Sequence, residues 1–310
     1  MSTPSLEVLI PCYNEHLHIA ATIDSILNAS LKWPGKFTLI ISDNHSTDGT
    51  QEVLEKYIID QRVVTLGNEY NLGAKENFFK LFASSAADYI MFMGAHDQIS
   101  SNFFEDIFKK LNENTPKILA GIEKQLLKKN NIWQIGPEIP EKYNFSRYRF
   151  IRMTQAILYL HKSTEFHSVV PRKLLLNKQI EKSRTLAIDH LVLYILLSKC
   201  NLEYVEGAYF IRRYEENIGD FYARLNSGGE LEDRLERATG KSKIPAQDRF
   251  MGLEIFQILK GDVNFIERIF YMLLLNSKNS QHFIIRSPYR LIRYLVTIAS
   301  NDKNRDSTQR

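Results

Sequence analysis

Cysteine is nearly absent: Cys12 and Cys200 are the only two in 310 residues. That count excludes a disulfide framework, their separation excludes a zinc knuckle, and a reduced compartment is the simpler setting. Cys12 is accordingly read as a packing residue rather than a nucleophile. No Gly-rich phosphate loop stands near the N-terminus, which counts against nucleotide-using α/β enzymes of the nucleotidyltransferase kind. Long apolar runs are lacking too. The longest late one, Ile269 to Leu275, falls far short of the ~20 residues a bilayer-crossing helix needs. Met1-Ser2-Thr3-Pro4 runs toward a strand without the basic region and apolar stretch of a signal peptide, so the expected location is cytoplasmic. Strong charge of one sign is also missing. The net charge is +4, and residues 241–310 hold twelve Lys and Arg against six Asp and Glu. Subtracting that +6 from +4 leaves −2 for residues 1–240, where no basic cluster interleaves with stacking aromatics. Nucleic acid is therefore not an expected partner. With 44% hydrophobic and 25% charged residues and no internal repeat, the composition suits one large α/β domain with an appendage.

What is present concentrates in the first hundred residues, where three buried-strand patterns each run into a polar, carboxylate-bearing turn. Val8-Leu9-Ile10 leads into Pro11-Cys12-Tyr13-Asn14-Glu15. Phe37 to Ile41 leads into Ser42-Asp43-Asn44-His45-Ser46-Thr47-Asp48-Gly49-Thr50, and Tyr89 to Met93 into Gly94-Ala95-His96-Asp97. Between them the spacing is helical. Asn14 or Glu15 opens a pattern through Ile19, Ile23, Ile26 and Leu27; Ser46, Thr47 or Asp48 caps a second through Val53, Leu54 and Tyr57; a third fits Lys75 to Ala87. Strands alternating with helices predict an α/β fold with a mostly parallel sheet covered on both faces. Ligands bind at the carboxyl ends of such strands, so Tyr13, Glu15, Asp43, Asp48 and Asp97 are expected at one site.

Downstream, a helix over Phe103 to Leu111 precedes a seam near residues 112–118. Ile118 to Ile122 and Ile132 to Ile135 read as a strand pair about the turn Lys128-Lys129-Asn130-Asn131. Gly136 to Tyr143 reads as a loop, because Pro137 and Pro140 oppose regular structure. Helical patterns cover Phe150 to Leu160, Arg172 to Leu176 and Leu186 to Lys199, and a strand covers Leu202 to Tyr209 before polar Arg212 to Gly219. Ser227-Gly228-Gly229 is the expected hinge. The expected organisation is a main domain over 1–225, with parts 1–111 and 112–225, and a mainly helical C-terminal region over 226–310. Within Pro288 to Ala299, Leu291, Leu295 and Ile298 form a stripe with Arg290 and Arg293 off it. That basic amphipathic helix packs on its own domain in one reading and touches an anionic membrane surface peripherally in the other.

Four ordered pieces carry a resemblance: the turns after the three strands and Asn71-Leu72-Gly73 with Asn77. The chain resembles a glycosyltransferase of family 2, with the GT-A (Rossmann-like) nucleotide-sugar-binding fold, over about residues 5 to 110 and more thinly to about 215. That resemblance implies an inverting enzyme. It would move a sugar from a nucleotide-diphosphate donor, preferably a UDP-sugar, to a hydroxyl of a saccharide or lipid-linked acceptor in cell-surface polysaccharide or glycolipid assembly.

The resemblance also implies roles. Pro11, Tyr13, Glu15 and Asp43 hold the base, and the chemistry agrees, since a ring stacks and a carboxylate accepts an imide N–H. Gly73 and Lys75 lie near the nucleotide. Asp97 is the last acidic position of the family's Asp-x-Asp type motif and holds a divalent cation, Mn²⁺ or Mg²⁺; His96 takes the middle place, as a direct ligand or as a contact to the diphosphate or sugar. Asp189, in Leu186-Ala187-Ile188-Asp189-His190, is the base that deprotonates the acceptor, with an N-cap as its other reading and His190 and Glu165 in reserve. Asp48 is read as structural, capping a helix and shaping its turn. Because His96 breaks the metal motif, a catalytically silent sugar-nucleotide-binding or scaffolding protein is the alternative.

Overall fold

The computed structural model describes residues 3–111, 115–129, 132–139, 142–160, 164–176, 188–214, 254–260 and 263–279. Strands β1 (Leu6–Cys12), β2 (Phe37–Asp43), β3 (Val63–Gly67) and β4 (Tyr89–Phe92) run parallel in the order β3-β2-β1-β4. β1, β2 and β4 are almost wholly buried, as the apolar runs Val8-Leu9-Ile10, Leu39-Ile40-Ile41 and Tyr89-Ile90-Met91-Phe92 require of parallel strands covered on both faces. Helices α1 (Ile19–Ser30), α2 (Thr50–Leu54) and α3 (Ala74–Ser84) connect them. The chain winds one way from β1 through β2 to β3, and β4 then pairs with the other side of β1. Winding therefore reverses between β1 and β4, and that reversal opens a crevice at their carboxyl ends.

The sheet continues without a break. β8 (Val169–Pro171) adds to β4 antiparallel, followed by β6 (Lys117–Lys129), β9 (Asn201–Tyr214) and β5 (Gln98–Ile99), with β7 (Ile132–Glu138) hairpinned onto β6. Side-chain alternation along β1 sends Val8 and Ile10 into one core and Leu9 into another. The first core adds α1 and Phe103, Phe104 and Ile107 of α4 (Phe103–Lys110). The second adds α3, α5 (Arg149–Tyr159), α6 (Ile188–Lys199) and α7 (Phe265–Asn279). Every residue from Leu191 to Ser198 of α6 is buried, as befits a helix apolar on all sides.

Three local expectations need correction. The segment 136–138 is strand, not loop: β7 runs through Pro137 to Glu138, where Glu138 pairs with Lys124. Among the described residues β7 pairs only with β6, and proline is tolerated on such an outer strand because no further described partner needs its missing N–H. The first helix starts at Ile19, because Asn14 adopts a left-handed backbone (φ 54°) and its side chain accepts from the Thr47 N–H at 2.9 Å instead. The second helix starts at Thr50, after Gly49 at φ 90°, and ends by Leu54; Tyr57 lies beyond it and donates its hydroxyl to Asp24 at 2.9 Å. The hinge at 227–229 and the basic helix at 288–299 lie outside the described residues. Among those residues no helix is long and apolar enough to cross a membrane.

Candidate functional site

The turns after β1 and β2 are knitted together. Cys12 pairs in register with Asp43, the Asn14 N–H donates to Ser46 Oγ at 2.9 Å, and the Glu15 N–H donates to Thr50 Oγ1 at 2.9 Å. Asp43 is buried and accepts from the Ser46 N–H and hydroxyl. Pro11 and Tyr13 are half-buried beside it along the chain. Burial alone would raise the Asp48 carboxyl, but hydrogen bonds from Thr50 and His16 outweigh it and hold the group below the ordinary range. Asp48 thus has a structural task joining the two turns. Cys12 is buried, and burial followed by the charges of Asp43, Glu15 and Asp48 pushes its thiol well up. It is packing, as the sequence suggests.

A second corner forms around Asn44, whose Oδ1 accepts from Asn68 Nδ2 and the Leu72 N–H, each at 2.9 Å, while its Nδ2 donates to Asn71 Oδ1 at 2.7 Å. Gly73, at φ 82°, then turns the chain into α3, and Lys75 in its first turn lies 3.3 Å from Glu76. Asn77 ties α3 back to β2 by accepting the Ser42 hydroxyl at 2.6 Å.

The crevice itself is closed by a contact between residues 81 apart: His96 Nδ1 lies 2.9 Å from Glu15 Oε1. The loop Gly94-Ala95-His96-Asp97 is clamped by three hydrogen bonds from two residues, Thr22 and Arg213. Thr22 Oγ1 donates to the Ala95 carbonyl at 3.0 Å, Arg213 Nε donates to the His96 carbonyl at 2.9 Å, and the Arg213 N–H donates to Asp97 Oδ1 at 3.0 Å. Asp97 is buried, and the Arg213 guanidinium lies 4.2 Å over the Trp133 ring. Gly94 leaves a cradle: a Cβ there would stand 2.7 Å from Asp97 Oδ2 and 3.7 Å from His96 Nε2. An oxygen and a nitrogen donor thus face the same space, a set that fits a divalent cation tolerant of imidazole. Among the described residues no group of three His, Cys, Asp or Glu side chains could hold such an ion, so ligand oxygens would have to complete its shell.

Asp189 stands in the first turn of α6 and its Oδ1 accepts the His190 N–H at 2.9 Å. α6 packs on the 3₁₀ turn Thr164–His167, which also packs on β4 and β6. In that turn Glu165 accepts the Tyr204 hydroxyl at 2.6 Å, Thr164 Oγ1 accepts from Arg212 at 3.1 Å, and His167 Nδ1 meets the Phe92 carbonyl at 3.0 Å. Burial pushes His167 down, against an opposing pull from the Asp97 charge. Sequence reasoning missed Arg213, Trp133 and His167. The one available signal was the run Arg212-Arg213 after an apolar strand pattern, and only the pairing of β9 with β5 brings it to Asp97.

Residues 7–169, more than half of the chain, match the sequence family described as Glycosyl transferase family 2. The chain is 24% identical over 216 residues to GalNAc(5)-diNAcBac-PP-undecaprenol beta-1,3-glucosyltransferase of Campylobacter jejuni, covering 68% of this chain and 65% of that protein. It is 32% identical over 96 residues to the putative teichuronic acid biosynthesis glycosyltransferase TuaG of Bacillus subtilis, covering 31% of this chain and 37% of that one. It therefore spans less than two thirds of the length of these relatives. S. aureus TarS 1–349, solved in complex with UDP-GlcNAc, superposes with a TM-score of 0.61 at 15% identity over 89% of this chain and 74% of that one. At such identity the likeness carries the fold, a GT-A α/β arrangement.

Proposed function

Because the chain belongs to glycosyl transferase family 2, we propose that it transfers a sugar from a nucleotide-diphosphate donor, a UDP-sugar, to a hydroxyl of a saccharide or lipid-linked acceptor with inversion. The observation that carries this reading is the Glu15–His96 contact beside buried Asp97, which lines the switch-point crevice with donors suited to a diphosphate and its cation. The matches to an undecaprenol-linked glucosyltransferase and to a teichuronic acid enzyme support cell-surface glycan assembly as the setting, and the UDP-GlcNAc complex of TarS supports uridine as the base.

In this reading Tyr13 offers a stacking face to the base beside Pro11, and Asp43 and Glu15 supply acceptors for its imide N–H. Gly73 and Lys75 flank the phosphates. Asp97 and His96 hold the divalent cation, Mn²⁺ fitting this pair better than Mg²⁺. Held there, a cation would supply Lewis-acid stabilisation of the diphosphate's charge. Asp189 takes the proton of the acceptor hydroxyl while that oxygen attacks the anomeric carbon opposite the leaving group. The basic stretch at 288–299 supplies peripheral contact with an anionic membrane at its cytoplasmic face. Deleting residues 280–310 is then expected to weaken binding to anionic vesicles, and unchanged binding removes that part.

A thermal-shift screen of UDP, GDP, CDP and dTDP, each with and without Mn²⁺, tests the donor site. It is followed by an assay of UDP-sugar hydrolysis and transfer. Stabilisation by UDP that grows with Mn²⁺, together with slow hydrolysis, is expected. Binding with no turnover of any UDP-sugar would leave the silent sugar-nucleotide-binding reading in its place.

A further inference from the structure

Building on the nucleotide-sugar site proposed above, we infer that Glu15 is a positioning residue for His96, holding the imidazole so that Nε2 joins Asp97 on the cation and the site prefers a transition ion such as Mn²⁺ over Mg²⁺. A neutral imidazole has one donating nitrogen and one lone pair, and the acceptor facing it decides which is which. The Glu15 carboxylate lies 2.9 Å from Nδ1. It therefore keeps the proton there and leaves Nε2 as the basic nitrogen, on the side of the Gly94 cradle that Asp97 Oδ2 also borders. Both ends of the pair are fixed by backbone: the Glu15 N–H bonds Thr50 Oγ1, and the His96 carbonyl accepts from Arg213 Nε. The Glu15 side chain is only 14% exposed, so water competes weakly for its carboxylate.

The metal preference follows from the donor set. Mg²⁺ demands oxygen ligands and sheds water reluctantly, whereas an imidazole nitrogen favours transition ions. Of the Asp-x-Asp type motif this chain keeps only the last acidic position, Asp97, with His96 in the middle place, and Glu15 reaches over from the turn after β1 to orient that imidazole.

The test measures free Mn²⁺ by EPR over the full chain at saturating UDP, with Mg²⁺ as competitor, for wild type, Glu15→Ala, Glu15→Gln and His96→Asp. Glu15→Ala is expected to weaken Mn²⁺ binding about tenfold or more, in the range usual for partners of ligating histidines. Glu15→Gln, whose amide oxygen still accepts from Nδ1–H, is expected to keep most of the affinity, and His96→Asp to lose most of the preference for Mn²⁺ over Mg²⁺. Long-range ¹H–¹⁵N spectra of the metal-free protein give a readout apart from binding. His96 should hold its proton on Nδ1 in wild type and Glu15→Gln and become a tautomer mixture in Glu15→Ala. Should Glu15→Ala fail to fold, the other two variants decide. Unchanged Mn²⁺ affinity in Glu15→Ala, or an unchanged ion preference in His96→Asp, overturns the inference. A wild type that binds UDP but no Mn²⁺ overturns it alone, while one that binds neither overturns the proposed function with it.

Discussion

At Gly94 a single methyl group would decide the state of the proposed cation site. It would stand 2.7 Å from Asp97 Oδ2, and the carboxylate can retreat only by straining the bond its other oxygen accepts from the Arg213 N–H. Gly94→Ala is therefore expected to lower UDP-sugar turnover about 100-fold, the scale of an ångström-sized misplacement, with little change in melting temperature. Asp97→Asn should cost turnover at least as much; steady-state hydrolysis beside thermal unfolding checks both, and undiminished turnover in Asp97→Asn would remove Asp97 from the site. His167 predicts a pH dependence. Its imidazole is held neutral by burial, so below about 6.5 the unfolded chain takes up a proton that the folded chain refuses. Stability should fall as pH drops from 6.5 toward the depressed folded value and be unaffected by this group above it. His167→Asn should flatten that slope in melting temperature against pH. That Glu15, Asp43, His96 and Asp97 stand at the carboxyl ends of strands was legible because each closes or follows an apolar run. Arg213 and His167 were not, because what makes them part of the site is contact with Asp97, Phe92 and Phe210 across long separations.

At the scale of elements, local pattern was enough wherever the partner lay next in sequence. β1, β2 and β4 with the helices between them, the hairpin of β6 with β7, and α6 all read from periodicity and length, whereas the short, only partly buried β3 carried no such pattern and went unread. Local pattern also failed where pairing is distant. The expected end of the last strand, at residue 209, is five residues short of Tyr214, because the polar segment Arg212–Tyr214 is kept extended by β6, with Lys124 through Leu127 opposite Ile211 through Tyr214. The β6–β9 ladder also shifts register at Gly121, where a Cβ would stand 2.5 Å from Phe103 and 3.1 Å from the Ala208 carbonyl. Phe103 is wholly buried and cannot yield into solvent. Gly121→Ala is therefore expected to destabilise the protein by ~1–3 kcal/mol, the usual cost of overpacking. Denaturant unfolding measures it, and a neutral result would mean that α4 is free to move off the sheet.

For the whole molecule, the seam expected near 112–118 does not divide the sheet, since β8 and β6 continue it from β4 toward β9 and β5. Nor do the described residues past 225, 254–260 and 263–279, stand apart. α7 lies on α5, with Arg149 paired to Glu267 at 2.8 Å and Phe150 5.2 Å from Phe270. The half-exposed ion pair contributes little. The weight rests on Ile255, Leu259, Tyr271, Met272 and Leu275, all buried to within 2% and most of them in the core that includes Met153, Ala156 and Ile157 of α5. At ~1.5–3 kcal/mol for each large apolar side chain taken from water, those five rival the ~5–15 kcal/mol by which a domain is stable. A chain ending at residue 225 would lose them and bare the α5 face, whereas one ending at 279 would keep them. The longer form is expected to fold with a near-native melting temperature and to bind UDP. The shorter is expected to aggregate or to lose near-UV dichroism, although every residue assigned to the donor site is present in both. If the 1–225 chain melts within a few degrees of the full one, α7 is no part of the cooperative core, and α5 and α6 hold their positions by the sheet alone.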